Sequence, residues 1–182
     1  MKHPVRNLRS APFLLILLLV VSLSLQAETR DPLTHFFHQS FGDLSEELET
    51  VKDENKAGVL IMFEAEDCPF CARMKKTILN QSQVQDYFRE HFQIIKIDME
   101  GDVEITDFNG DTVSMKSFSY DQHRVRATPV FAVFDSDGQL IKGSRYTGAM
   151  TGVDEFMLYG QYIVDKHYEK QSFTRYKRSQ KD

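Results

Sequence analysis

Cysteine is scarce in this chain. Only Cys68 and Cys71 occur among 182 residues, with two residues between them in the stretch FEAEDCPFCARMKK. That scarcity excludes a framework of structural disulfides, and a bridge within the pair would close too small a loop to stabilise the fold much. Structural zinc takes four ligands, of which such a pair supplies two. No second pair exists and the histidines at 35, 38, 91, 123 and 167 are scattered, so no metal site is expected. Covalent haem needs a histidine straight after the second cysteine, and Ala72 stands there. Basic charge is also short, with 22 Lys and Arg against 27 Asp and Glu. Nothing here would release phosphate counterions, so no nucleic-acid partner is expected. Internal repeats are absent.

Long apolar runs are limited to one, APFLLILLLVVSLSL, about 15 residues against the ~20 that span a bilayer comfortably. It follows the basic MKHPVRNLRS and precedes Ala27, a small residue where signal peptidase cuts, so residues 1–27 read as a cleaved secretory signal rather than an anchor. Cleavage removes Lys2, Arg6 and Arg9 and no acid, taking the formal charge from −5 to −8. The remainder divides into one domain over 28–170 and a polar, basic tail over 171–182, read as frayed. In an exported protein whose only cysteines have two residues between them, the pair is there for chemistry.

The periodicity predicts an α/β sheet with helices on both faces. DPLTHFFHQSF packs on the core, and His35 and His38 within it are packing or surface residues. DLSEELETVKDENK is an amphipathic helix carrying Leu44, Leu48 and Val51, capped by Asp43 or Ser45 and ended by Gly58. VLIMF is a buried strand. CARMKKTILN, with Pro69 in its first turn, starts a helix that continues through SQVQDYFREHF, and QIIKIDM is a second strand. Met74, Ile78 and Leu79 face the core. DVEITDFNGDTVSM forms a hairpin around Asn109-Gly110, and a short helix then leads to RATPV. PVFAVFDSDGQLIKGSRYTG gives two strands around DSDG. A closing helix follows, with a stripe of Val153, Phe156, Met157, Ile163 and Val164. His91 and His123 have no partner suggested by sequence.

Cys68 ends a buried strand and starts a helix, where free N–H groups and the helix dipole favour a thiolate. Attack by Cys68 on a disulfide, with resolution by Cys71 one turn further on, is dithiol exchange. VLIMFEAEDCPFC, followed about 60 residues later by ATPV, resembles the thioredoxin superfamily over residues 44–165. The resemblance implies a mixed central sheet with a hairpin inserted before a cis-proline loop. It also implies a cis Pro129 facing the dithiol, Thr128 presenting backbone to substrate, and Gly148 after the last strand. The lead-in, CPFC, DFNGD, RATPVF and YTGAMTGVDEF together resemble the periplasmic thioredoxins of sulfur-oxidation (Sox) systems. That group implies a periplasmic reductase of protein disulfides fed by a membrane thiol transporter; a monomer with no cofactor beyond the redox-active disulfide Cys68–Cys71 is expected.

Two positions depart from thioredoxin. Met62 stands where that family buries an aspartate beneath the dithiol. Glu64 is the candidate proton acceptor in its stead, and alternation puts both Glu64 and Glu66 on the face of Met62. Tryptophan is absent, Asp67 occupies the place of thioredoxin's flanking Trp, and Phe70 is the candidate apolar contact for substrate. Lys96 resembles the family's strand lysine. Nearby acids disfavour a thiolate and offset part of the helix effect. An oxidase or isomerase, a non-catalytic binding module and a redox-linked metal carrier are the competing functions.

Overall fold

The computed structural model describes residues 28–180, so the segment read as a signal peptide lies outside the described residues. Its centre is strand β1 (Gly58–Glu64), all seven residues of which are buried. β1 pairs in parallel with β2 (Phe92–Asp98) and antiparallel with β5 (Val130–Phe134), which in turn pairs with β6 (Tyr146–Thr147). The sheet order is β2-β1-β5-β6, the mixed sheet that the sequence predicts. Between β2 and β5, strands β3 (Glu104–Thr106) and β4 (Thr112–Ser114) form the expected inserted hairpin.

Helices cover both faces. On one face, α2 (Leu44–Asp53) brings Leu44, Leu48 and Val51 onto Val59, Ile61 and Phe63. Asp43 caps it, accepting from the Ser45 and Glu46 amides. On the other face, α3 (Pro69–Thr77), α4 (Ser82–His91) and α6 (Val153–Val164) pack Met74, Phe88 and Phe156 onto Leu60, Met62 and Phe131. The Phe88 and Phe156 rings stack with centroids 4.3 Å apart. The lead-in helix α1 (Pro32–His35) delivers Phe36 and Phe37 to this core, whereas Phe41 is 93% exposed. Among the described residues no helix is long and apolar enough to cross a membrane.

Several local expectations are corrected. α2 stops before Gly58, where Asn55 takes φ 52. Gly58 opens β1 instead, because a Cβ there would fall onto the Phe134 carbonyl oxygen of the neighbouring strand. α3 and α4 are separate helices, since the chain breaks at Ile78 and the Gln85 side chain caps the Leu79 carbonyl at 2.9 Å. The hairpin does not turn on Asn109-Gly110 alone. Its loop runs from Asp107 to Asp111, and Asp107 Oδ1 accepts from the amides of Asn109 and Asp111. After it come a one-turn helix α5 (Met115–Ser117) and a π-helical turn (Phe118–Gln122). The apolar stripe of α6 is carried by Phe156, Tyr159, Tyr162 and Ile163, with Met157 only partly buried.

The frayed tail is also corrected. Residues Phe173–Ser179 form helix α7, with Phe173 and Tyr176 buried against Tyr159 and Tyr162. Four polar residues before it hid an aromatic pair at helical spacing. Lys177 Nζ then reaches Glu155 Oε1 at 2.6 Å. Burial pushes the Glu155 carboxyl up, but hydrogen bonds from Lys177 and Thr151 outweigh that and hold it down at about 2. A depressed carboxyl contributes stability above its unfolded value that is lost as pH falls through the folded one. Glu155→Gln is therefore expected to lower the urea midpoint near neutral pH, with the deficit vanishing as pH falls from about 4.5 to about 2. A deficit that does not depend on pH would contradict the clasp.

Candidate functional site

The two cysteines sit where β1 hands over to α3. Ala65–Asp67 leave the sheet, Cys68 takes extended backbone (φ −111, ψ 95) as the N-cap, and Pro69 occupies the first helical position. Proline suits that position because its missing N–H would have no partner in the first turn. Cys68 and Cys71 form a disulfide with a Cα–Cα distance of 5.2 Å. The Cys71 amide donates to Cys68 Sγ at 3.1 Å, so the first sulfur sits where a helix N-terminus stabilises negative charge. Cys68 is the more accessible of the two, at 7% against 2% for Cys71. Beneath them lies the apolar core of Met62, Met74 and Met150.

Antiparallel register brings the second motif to the same end of the sheet. Phe63 pairs with Val130, which puts Thr128 and Pro129 beside the mouth from which Cys68 emerges. The Thr128–Pro129 bond is cis. Pro129 is buried, and its carbonyl accepts from the Gly148 amide at 2.8 Å, tying this loop to the one after β6. Gly148 has φ +100, a conformation that favours glycine. Arg73 on α3 donates to the Met150 carbonyl at 3.3 Å, closing the ring of loops. Phe70, between the cysteines, is 57% exposed and presents an apolar surface beside them.

The charged surroundings differ from the sequence picture in one respect. Glu64 ends β1, is buried, and is paired with Lys75 of α3 and, at 3.7 Å from Oε1, with Lys96 of β2. Lys96 stands opposite Met62 in the β1–β2 register. Lys75 is the residue that sequence reasoning missed. Its position four after Cys71 on a helix places it over the preceding turn, and that spacing was the available signal. Glu66 and Asp67, by contrast, are exposed in the loop and belong to no ion pair among the described residues.

Of the histidines, His35, His38, His91 and His123 do not join the site. His38 Nδ1 accepts from the Ile94 amide at 2.9 Å on the sheet edge, and burial, then Arg89 and Lys56, push its imidazole down to about 4. His123 lies among Phe63, Phe118 and Phe134, on the face away from α3, and burial, then Arg145, likewise lowers it to about 4. Both rings are therefore neutral at ordinary pH. His35 contacts Thr34, and the His91 ring packs on Tyr87. Among the described residues no group of three or more His, Cys, Asp or Glu side chains could hold a metal ion.

Such an arrangement can open and reform a disulfide at the less buried Cys68, with Cys71 beside it to resolve the exchange. Comparison with known proteins agrees with the geometry. Residues 44–163 match the family profile of the thioredoxin-like domain. No curated protein matches the chain. Among solved structures, a thioredoxin-fold protein from Helicobacter pylori is 23% identical, with a TM-score of 0.54, over 67% of this chain and 83% of that one. A DsbH oxidoreductase is 18% identical, with a TM-score of 0.55, over 78% of this chain and 92% of that one. At those identities the two structures speak for the fold, while the profile, spanning the sheet, the Cys68–Cys71 helix and the cis-proline loop, shows that the chain belongs to the thioredoxin-like domain family.

Proposed function

We propose that this protein is a periplasmic thiol–disulfide oxidoreductase that reduces protein disulfides through Cys68 and Cys71. The observation that carries the reading is the Cys68–Cys71 pair at the N-terminus of α3, with Cys68 the less buried of the two, on the sheet end shared with Pro129. In the reduced protein the Cys68 thiolate attacks one sulfur of a substrate disulfide. That S–S bond breaks, a mixed disulfide forms, and the leaving thiolate takes a proton. Cys71 loses its proton, attacks Cys68 Sγ and releases the second substrate thiol. Two electrons pass from the dithiol to the substrate, leaving the Cys68–Cys71 disulfide. Thr128 offers backbone to the substrate strand, and Phe70 offers apolar contact. The dithiol itself is the only redox group the reaction needs.

Glu64 is the carboxylate we assign to the Cys71 proton. It lies two residues beyond Met62 on β1, paired with Lys75 of α3 and Lys96 of β2. The reducing direction and the location rest on the resemblance to the sulfur-oxidation thioredoxins and on the secretory pattern of residues 1–27. The same resemblance supports a membrane thiol transporter as electron donor and periplasmic disulfide-bearing proteins as substrates.

An insulin-reduction assay tests the exchange. Cys68→Ser is expected to abolish turnover, whereas Cys71→Ser should still attack and stall as a mixed disulfide visible on a non-reducing gel. Turnover by Cys68→Ser would overturn the assignment. For Glu64, single-turnover kinetics of Glu64→Gln should show the resolving step slowed by about tenfold to a hundredfold, with its pH dependence displaced. An unchanged pH profile would remove Glu64 from proton transfer.

A further inference from the structure

We propose that the dithiol site selects disulfide-bearing segments with an acidic residue toward the Arg126 loop and a basic one toward the Asp67 loop. The proposal rests on the exchange reading above and concerns which substrates that site takes. The register that sets Val130 opposite Phe63 brings the approach to Pro129 and the approach to Cys68 to one end of the sheet. There the charges are segregated by sign. Glu66 and Asp67 stand before Cys68, and Arg124 and Arg126 stand before Pro129, all four exposed. None of the four takes part in an ion pair among the described residues.

Arg126 is held in place by groups that carry no charge. Its Nη1 donates to the Tyr120 carbonyl at 2.9 Å and the Val125 carbonyl at 3.0 Å, and the guanidinium lies 4.8 Å from the centre of the Tyr120 ring. Arg145 holds the same segment from the other side, donating to the carbonyls of His123 and Arg124, the latter at φ 51. The acids nearest in sequence are occupied elsewhere. Asp121 accepts from the Ser117 hydroxyl at 2.9 Å, and Asp135 accepts from the amides of Asp137 and Gln139 at 3.0 and 2.9 Å.

Carbonyl anchoring fixes a guanidinium without neutralising it, and the N–H groups it leaves over suit a planar carboxylate. Because the side chain is ordered before substrate arrives, little rotamer entropy is lost on binding. Exposed charges of this kind contribute chiefly to selectivity and encounter rate. Opposite signs on the two loops also set the direction in which a segment lies.

The test uses two small peptide disulfides that differ only in order, with Glu on one side of the reacting cysteine and Lys on the other, or the reverse. A third peptide carries Gln on both sides. One order is expected to exceed the other by about fivefold in kcat/KM, with the ratio shrinking as salt is added. Arg126→Gln should bring the ratio near one, and Arg126→Lys should keep part of it. Equal rates for the two orders, or a ratio that survives Arg126→Gln, would overturn the proposal, as would a uniform loss in both variants that leaves the ratio intact. Failure of the wild-type protein to turn over any of the three in a Cys68-dependent way would overturn the exchange reading, and this one with it.

Discussion

The pairing of β1 with both neighbours governs where everything else can lie. β1 is buried along its whole length, parallel to β2 on one side and antiparallel to β5 on the other. A strand buried on both faces and hydrogen-bonded on both edges has one register open to it, because a slip of one residue would exchange its two faces. Gly58 enforces the same constraint at the start of the strand, since only glycine tolerates the approach of the Phe134 carbonyl. From that register two consequences reach the site. The strand's far end delivers Cys68 to the N-terminus of α3, and the pairing of Phe63 with Val130 brings cis Pro129 to the same mouth.

Electrostatics at that mouth are arranged differently from those of the family's reducing members. The strand position beneath the dithiol is Met62, fully buried among apolar side chains, so no carboxylate lies directly under the sulfurs. The carboxylate appears two residues later at Glu64 and is neutralised locally by Lys75 and Lys96. Exposed Glu66 and Asp67 work against a thiolate, while the Cys71 amide in the first turn of α3, which donates to Cys68 Sγ, works for it. Solvent screens the loop acids more than it screens a sulfur capping a helix, which favours the helix in that balance.

Much of this was legible in the chain. The apolar run VLIMF, Pro69 at a helix start and the apolar positions of α2 act over a few residues, and they gave β1, α3 and α2. The dithiol was equally clear, because two cysteines at a strand-to-helix junction leave few other chemistries. Features that depend on contacts across the fold were not legible. The role of Gly58 is set by Phe134, 76 positions away. Helix α7 was hidden because Phe173 and Tyr176 are two aromatic residues in an otherwise polar, basic stretch, and only the surface of α6 gives them something to bury against. The Glu64–Lys75 pair needed a helix docked over a strand end before the two charges could meet.

On the proposed reading this dithiol gives electrons to substrate disulfides. Its equilibrium reduction potential, titrated against glutathione with the full domain, tests that most directly. The account predicts a value between about −200 and −270 mV, in the range of reducing thioredoxin-type proteins. A value above about −150 mV would mark an oxidant and contradict it.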